Sequence, residues 1–177
     1  MVVAEVASRW MSRHFDEEQK KYILANFFRR VDIGAISQDE MYAQMAQRYN
    51  MNKQDIIDEW DELSTLMPET VEVIRRLKAQ GHAVALLSNA SVERIDYLFG
   101  KFDLFQYFDK IFVSANYGCA KPDREFYQIC LDSFTEKFEK IYFTDDNPEN
   151  LKGIEDLGIT PILFTSAKQF EQDVKTK

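Results

Sequence analysis

Ala83-Val84-Ala85-Leu86-Leu87-Ser88-Asn89 is the stretch on which the fold turns. Five apolar residues in a row, opening just after Gly81, have the length and composition of a strand buried on both faces. They run straight into a hydroxyl and an amide. The same grammar returns twice: Ile111-Phe112-Val113 leads to Lys121-Pro122, and Ile141-Tyr142-Phe143-Thr144 runs into Asp145-Asp146. Each run therefore ends in groups suited to phosphate or a divalent cation.

Helices separate these runs. Pro68 suits a first helical position, Val71, Ile74 and Leu77 form one face, and Gly81 stops the helix. The pattern then predicts a strand His82 to Leu87, a helix Ser91 to Phe99, a strand Lys110 to Ser114 and a helix Arg124 to Ser133. A strand Lys140 to Thr144, a helix Pro148 to Leu157, a strand Thr160 to Phe164 and a helix from Ala167 complete it. Short apolar strands alternating with helices read as a Rossmann-like α/β fold built on a parallel sheet. Right-handed crossovers bring the carboxyl ends of such strands to one edge, where ligands bind. Ser88, Asn89, Lys121, Asp145 and Asp146 should converge there.

Upstream the pattern is helical throughout. Val2, Val3, Val6 and Trp10 share a stripe, as do Tyr22, Ile23, Phe27 and Phe28, and then Met41, Met45 and Tyr49. Ser37-Gln38-Asp39-Glu40 is a capping box, and Asn52 can cap a helix whose apolar face is Ile56, Trp60 and Leu63. Four short helices and no strand result. The chain thus divides into an all-helical unit, 1–66, and an α/β core, 67–177.

Composition narrows the function classes. The 177 residues can hold one core plus a small accessory unit, and a hydrophobic fraction of 45% argues against disorder. A formal charge of -8 repels a nucleic-acid backbone and an anionic membrane surface. No run approaches the ~18 apolar residues that span a bilayer. Cys119 and Cys130 lack metal-ligand spacing, and His14 and His82 have no partner implied by spacing, so a reduced, cytoplasmic chain is the simplest expectation.

Each candidate residue has a plainer reading beside the chemical one. Adjacent carboxylates at Asp145 and Asp146 can hold Mg²⁺, or one can cap the helix entered at Pro148, where Asn147 also competes. Ser88-Asn89 can present donors to an anion at a helix start, or simply form a turn. Lys121 can neutralise a phosphoryl oxygen and hold a metal carboxylate, or remain a solvated surface charge. Phe27, Phe28, Tyr42, Tyr49 and Trp60 sit at helical intervals and read as core, with lining of an entrance as the lesser role.

Taken together, strand-Ser88-Asn89, then Gly118-x-x-Lys121-Pro122 with Tyr127 beyond, then strand-Asp145-Asp146-Asn147-x-x-Asn150 ending at Leu157-Gly158-Ile159, resembles the haloacid dehalogenase (HAD) superfamily. The likeness is to its small phosphatases with a short helical cap, and within them to sugar-phosphate phosphatases and dehalogenase-like hydrolases. It implies Ser88 and Lys121 as catalytic groups, with Ser88, Asn89 and Lys121 binding the phosphoryl group. Asp145 and Asp146 would hold Mg²⁺, and Asn150 would play a structural part. The implied reaction is hydrolysis of a small phosphorylated metabolite. Ile154 departs from the resemblance, which has Ala there, so altered helix packing is expected.

The larger departure is at the start. The family's first strand ends in Asp-x-Asp, whose first Asp attacks phosphorus and whose second serves as acid and base. Here no such strand is written, and Glu5, on a helical stripe, is a poor substitute. The implied strand order 5-4-1-2-3 makes the missing strand the central one. Each buried unpaired backbone group left there costs about 1–3 kcal/mol. An upstream start, another strand in the slot, or closure of the sheet would answer that cost, and an open slot invites homodimerisation or strand exchange. As written, the chain should bind phosphate and Mg²⁺ without turnover. The alternative is a non-catalytic pseudoenzyme acting as a binding or regulatory protein. A phosphoacceptor receiver domain uses similar groups, but its acids come before its hydroxyl and Lys.

Overall fold

The computed structural model of the chain describes residues 6–176; Glu5 lies outside them. Helix α1 (Val6–His14) is followed by a rod over 17–32, α2, in which Glu17–Ile23 and Arg29–Asp32 are α-helical and Leu24–Phe28 makes a π-helical turn. Then come α3 (Gln38–Tyr49) and α4 (Lys53–Leu63). The Ser37 box forms as expected: Glu40 N donates to Ser37 Oγ at 3.1 Å, and Ser37 N to Glu40 Oε2 at 2.8 Å. Asn52 Oδ1 accepts from Gln54 N at 2.8 Å, and a second box closes between Asp16 and Gln19. Trp10, Ile23, Met41, Met45 and Ile56 are almost wholly buried in one cluster among these helices. Tyr22, placed on the apolar stripe by its spacing, instead faces outward under the Arg48 guanidinium. His14 finds a partner that spacing did not show, Glu59, at 2.6 Å.

The rest alternates: α5 (Pro68–Ala79), β1 (Ala85–Ser88), α6 (Val92–Phe102), β2 (Lys110–Val113), α7 (Arg124–Asp132), β3 (Ile141–Asp145), β4 (Ile159–Leu163) and α8 (Ala167–Thr176). Strand β1 begins later than the apolar run suggests, because the Val84 N–H donates to the Asp109 carboxylate at 2.8 Å and is lost to the ladder. The expected helix Pro148 to Leu157 is also corrected. Two short 3₁₀ turns, Pro148–Leu151 and Glu155–Leu157, replace it, with Gly153 between them at φ +71°. Ile154 then drops into the core at 2% exposure.

All strand pairing is parallel. Strand β1 pairs with β2, Ala85 opposite Lys110 and Ser88 opposite Val113; β3 pairs with β4, Ile141 opposite Ile159 and Asp145 opposite Leu163. The two pairs are not hydrogen-bonded to each other. Phe126 and Tyr127 of α7 pack against Leu87 and Phe112 from one pair and Ile159 from the other, so a shared apolar cluster ties them on one face. Between β1 and β3 runs a cleft of about 2230 Å³ lined by Ala85, Leu86, Phe143 and Thr144. The inner strands of a parallel sheet are ordinarily buried on both faces. Here Ile141 to Thr144 are only half-buried, and among the described residues the Thr144 hydroxyl has no partner. Among the described residues the sheet has not closed up. No helix of these residues is long and apolar enough to cross a membrane.

Candidate active site

Lys121 comes from the loop after β2, and its backbone is clamped by the loop after β1. Its N–H donates to Asn89 Oδ1 at 2.8 Å, and Asn89 Nδ2 donates to its carbonyl at 2.9 Å. The Asn89 amide is thereby engaged at both ends in positioning Lys121. The side chain then crosses the cleft: Nζ donates to the Leu87 carbonyl at 2.9 Å and to Asp145 Oδ2 at 2.7 Å. One ammonium thus joins the carboxyl ends of β1 and β3. At 10% side-chain exposure Lys121 is no solvated surface charge.

Asp145, the last residue of β3, is buried and fully engaged. Its other oxygen accepts from Asn147 N at 2.9 Å and from Asn150 Nδ2 at 3.0 Å. Burial pushes its carboxyl upward, but the Lys121 ammonium and these hydrogen bonds outweigh burial and hold it below the usual carboxylate range. Asn150 is itself fixed by Tyr127, whose hydroxyl donates to the Asn150 carbonyl at 2.7 Å. The cap of the turn at Pro148 is Asn147, which accepts from Glu149 N at 3.0 Å. Neither aspartate is spent on capping. Asp146 is exposed, and its carboxylate has no hydrogen-bond or ion-pair partner among the described residues. Ser88 and Asp146 both line the cleft.

The structure therefore gathers Ser88, Asn89, Lys121, Asp145 and Asp146 along one cleft, as the strand ends predicted. Among the described residues no set of three or more His, Cys, Asp or Glu side chains converges as a metal cage. The donors here are two adjacent carboxylates, one free and one already held. That set fits Mg²⁺, which keeps several waters and takes few protein ligands.

Sequence reasoning missed Asp32. It stands at the end of α2, lines the same cleft and lies close enough to Lys121 to feel its charge. Burial raises its carboxyl to about 6 against the opposing pull of Arg29 and Lys121. The end of α2 is pinned to the Lys121 loop from two sides. Arg29 donates to Asp123 at 2.6 Å, Asp123 also accepting from Ala120 N at 3.1 Å. Gly34, at φ +69°, comes so close to the turn after β2 that a Cβ there would meet the Ala115 carbonyl oxygen at 2.5 Å. Gly34, five residues past Arg29, was the available sequence signal.

A family model of haloacid dehalogenase-like hydrolases matches residues 5–158. This chain belongs to that family. Among curated relatives it is 28% identical over 137 residues to a sesquiterpene phosphatase of Aspergillus oryzae, covering 76% of this chain and 70% of that one. It is also 28% identical over 147 residues to a drimenol cyclase of Aspergillus calidoustus, covering 80% of this chain but 28% of the cyclase. Of solved structures, a predicted HAD-like family hydrolase from Porphyromonas gingivalis superposes with TM-score 0.76 at 19% identity, over 99% of this chain and 91% of that one. A HAD family enzyme of Bacteroides thetaiotaomicron, in complex with magnesium and inorganic phosphate, superposes with TM-score 0.73 at 18% identity, over 92% and 88%. These likenesses show the HAD-like Rossmann-type fold, and the chain is a HAD-like hydrolase by family.

Proposed function

We propose that the rim formed by Ser88, Lys121, Asp145 and Asp146 binds the phosphoryl group of a small phosphomonoester with Mg²⁺, and that 67–177 carries this rim while 1–66 caps it. The observation that carries the reading is Lys121 Nζ, held between the Leu87 carbonyl and Asp145 at the ends of both strand pairs. A cation fixed there by buried partners neutralises charge that develops on a transferring phosphoryl group. The Ser88 hydroxyl, at the head of the turn into α6, donates to the same group, and Asp145 keeps the ammonium in place. Mg²⁺, when bound at Asp146 and Asp145, supplies further neutralisation of the phosphoryl oxygens. The Aspergillus oryzae relative named as a phosphatase and the Bacteroides enzyme bound to magnesium and phosphate support this class of reaction.

The attacking carboxylate belongs to a fifth parallel strand seated between β1 and β3. Its oxygen bonds to phosphorus as the ester oxygen leaves with a proton, and water then releases phosphate from the acyl phosphate. The half-buried inner faces of β1 and β3 and the unpartnered Thr144 hydroxyl favour such an occupant.

The test is to assay the 177-residue polypeptide with Mg²⁺ and p-nitrophenyl phosphate, alone and with a synthetic peptide of apolar residues ending in Asp-x-Asp. Phosphate binding without turnover, and turnover on adding the peptide, is the expected result. Turnover by the polypeptide alone, abolished by Asp146→Ala, refutes the placement of the nucleophile. A peptide that seats without restoring turnover favours the non-catalytic binding protein.

A further inference from the structure

Given the phosphate rim proposed above, the organic part of the ester lies against the wall that the helices over 6–63 turn toward the cleft. Phe28 and Trp60 stack there, 5.7 Å between centroids and 18° between planes, a flat apolar patch that any ester could use. The polar groups on the same wall discriminate. Asp32 is partly buried, and among the described residues charges alone, those of Arg29 and Lys121, reach its carboxylate; no hydrogen bond meets it. Gln38 is 9% exposed, and among the described residues its Nε2 has no acceptor. Trp60 is 5% exposed, and its Nε1 has none either.

Buried polar groups in folded proteins are nearly always satisfied, so two exceptions on one wall, with the half-buried Asp32 carboxylate on it as well, make three groups that call for a partner. Two of them are held in place. Gln38 Oε1 accepts from Ser91 Oγ at 3.2 Å, which fixes the other end of the amide beside the turn that carries Ser88. Burial pushes the Tyr42 hydroxyl, one turn along α3, up to about 12, and the Gln38 amide beside it pulls the other way. Asp32 is set by the Arg29 to Asp123 pair and by the close approach of Gly34 to Ala115.

We propose that Asp32, with the Gln38 amide, binds hydroxyl groups on the organic part of the phosphomonoester, so that this chain selects polyhydroxylated esters over hydrocarbon ones. A hydroxyl donates to the Asp32 carboxylate and accepts from Gln38 Nε2, satisfying both. A terpenyl chain on the same wall would strand the carboxylate against hydrocarbon, which is costly. The selectivity would then differ from that implied by the name of the sesquiterpene phosphatase relative. Asp32 is a specificity-determining residue in this reading, while the phosphate contacts remain those of the rim.

The experiment is calorimetric binding to the 177-residue chain with Mg²⁺, using inorganic phosphate, glycerol 3-phosphate, ribose 5-phosphate, glucose 6-phosphate and farnesyl monophosphate. At least one hydroxylated ester should bind about tenfold or more tightly than inorganic phosphate, the worth of a hydrogen bond to a charged group. Asp32→Ala and Gln38→Ala should erase that advantage, each variant's own affinity for inorganic phosphate serving as its reference. Asp32→Asn keeps the side-chain shape and separates loss of charge from loss of fold. Farnesyl monophosphate binding more tightly than every hydroxylated ester, or an advantage that survives Asp32→Ala, overturns the assignment of Asp32 while the phosphate rim stands. Absence of phosphate binding altogether overturns the rim, and the assignment with it.

Discussion

Replacing Asp32 by Asn should stabilise the protein, and only above a definite pH. In the folded chain the carboxyl is raised from its ordinary value of 3.8 to about 6, chiefly by burial, with Arg29 on its own helix and Lys121 on the loop after β2 pulling the other way. Between pH 3.8 and about 6 the folded chain holds a proton that the unfolded chain releases. Stability therefore falls as pH rises through that window and stays lowered above it. At about 1.36 kcal/mol per pH unit the full effect is roughly 3 kcal/mol, and the contact of Asp32 with the open cleft trims it to about 1–3 kcal/mol. Asn has the shape of the protonated acid and carries no charge at any pH. Urea denaturation followed by Trp10 and Trp60 fluorescence should show Asp32→Asn more stable than the parent by that amount at pH 8, the gap closing toward pH 4. Every other titrating group is common to both proteins and cancels. A gap independent of pH, or a parent more stable than the variant at pH 8, refutes the burial argument.

Three further outcomes follow from the geometry. Lys121→Met should destabilise by about 3–5 kcal/mol at neutral pH, because Asp145, 7% exposed, keeps a charge with its ammonium removed; equilibrium unfolding should show the loss shrinking on acidification, from the pH at which the variant's Asp145, no longer held down by the ammonium, takes up a proton. Gly34→Ala should cost about 1–3 kcal/mol or more by thermal melting, since it sets a Cβ at φ +69° and 2.5 Å from the Ala115 oxygen. Asp146→Asn should leave unfolding within about 0.5 kcal/mol of the parent, Asp146 being exposed, while weakening Mg²⁺ binding measured by calorimetry at least tenfold.

The parallel α/β arrangement was legible because its strands are short, apolar and separated by helices, and because the groups after Leu87, Val113 and Thr144 are of one chemical kind. Local caps were legible too: Ser37 and Asn52 act through residues two or three positions away, so their bonds are written in the sequence itself. What failed depended on distant partners. The Val84 N–H reaches Asp109, 25 residues on, and no periodicity reports that. The turn at Gly153 breaks a helix that Pro148 and Asn147 correctly begin. Asp32 reads locally as the polar tail of a helix, and its burial exists only once α2 meets the Lys121 loop.

That meeting explains why the rim holds together across a split sheet. Strands β1 and β3 share no ladder hydrogen bond, so their carboxyl ends would drift apart if apolar packing by α7 on one face were the whole connection. Lys121 supplies the missing tie at the end where chemistry is placed, and Asn89 fixes its backbone while Asn150 and Asn147 fix its carboxylate partner. A buried ion pair with every oxygen satisfied adds little net stability over an apolar substitute, but it fixes one geometry. Its value here is registry. One side chain spans the ends of β1 and β3, so on the function proposed above an incoming strand or phosphoryl group would meet a rim already held at that width.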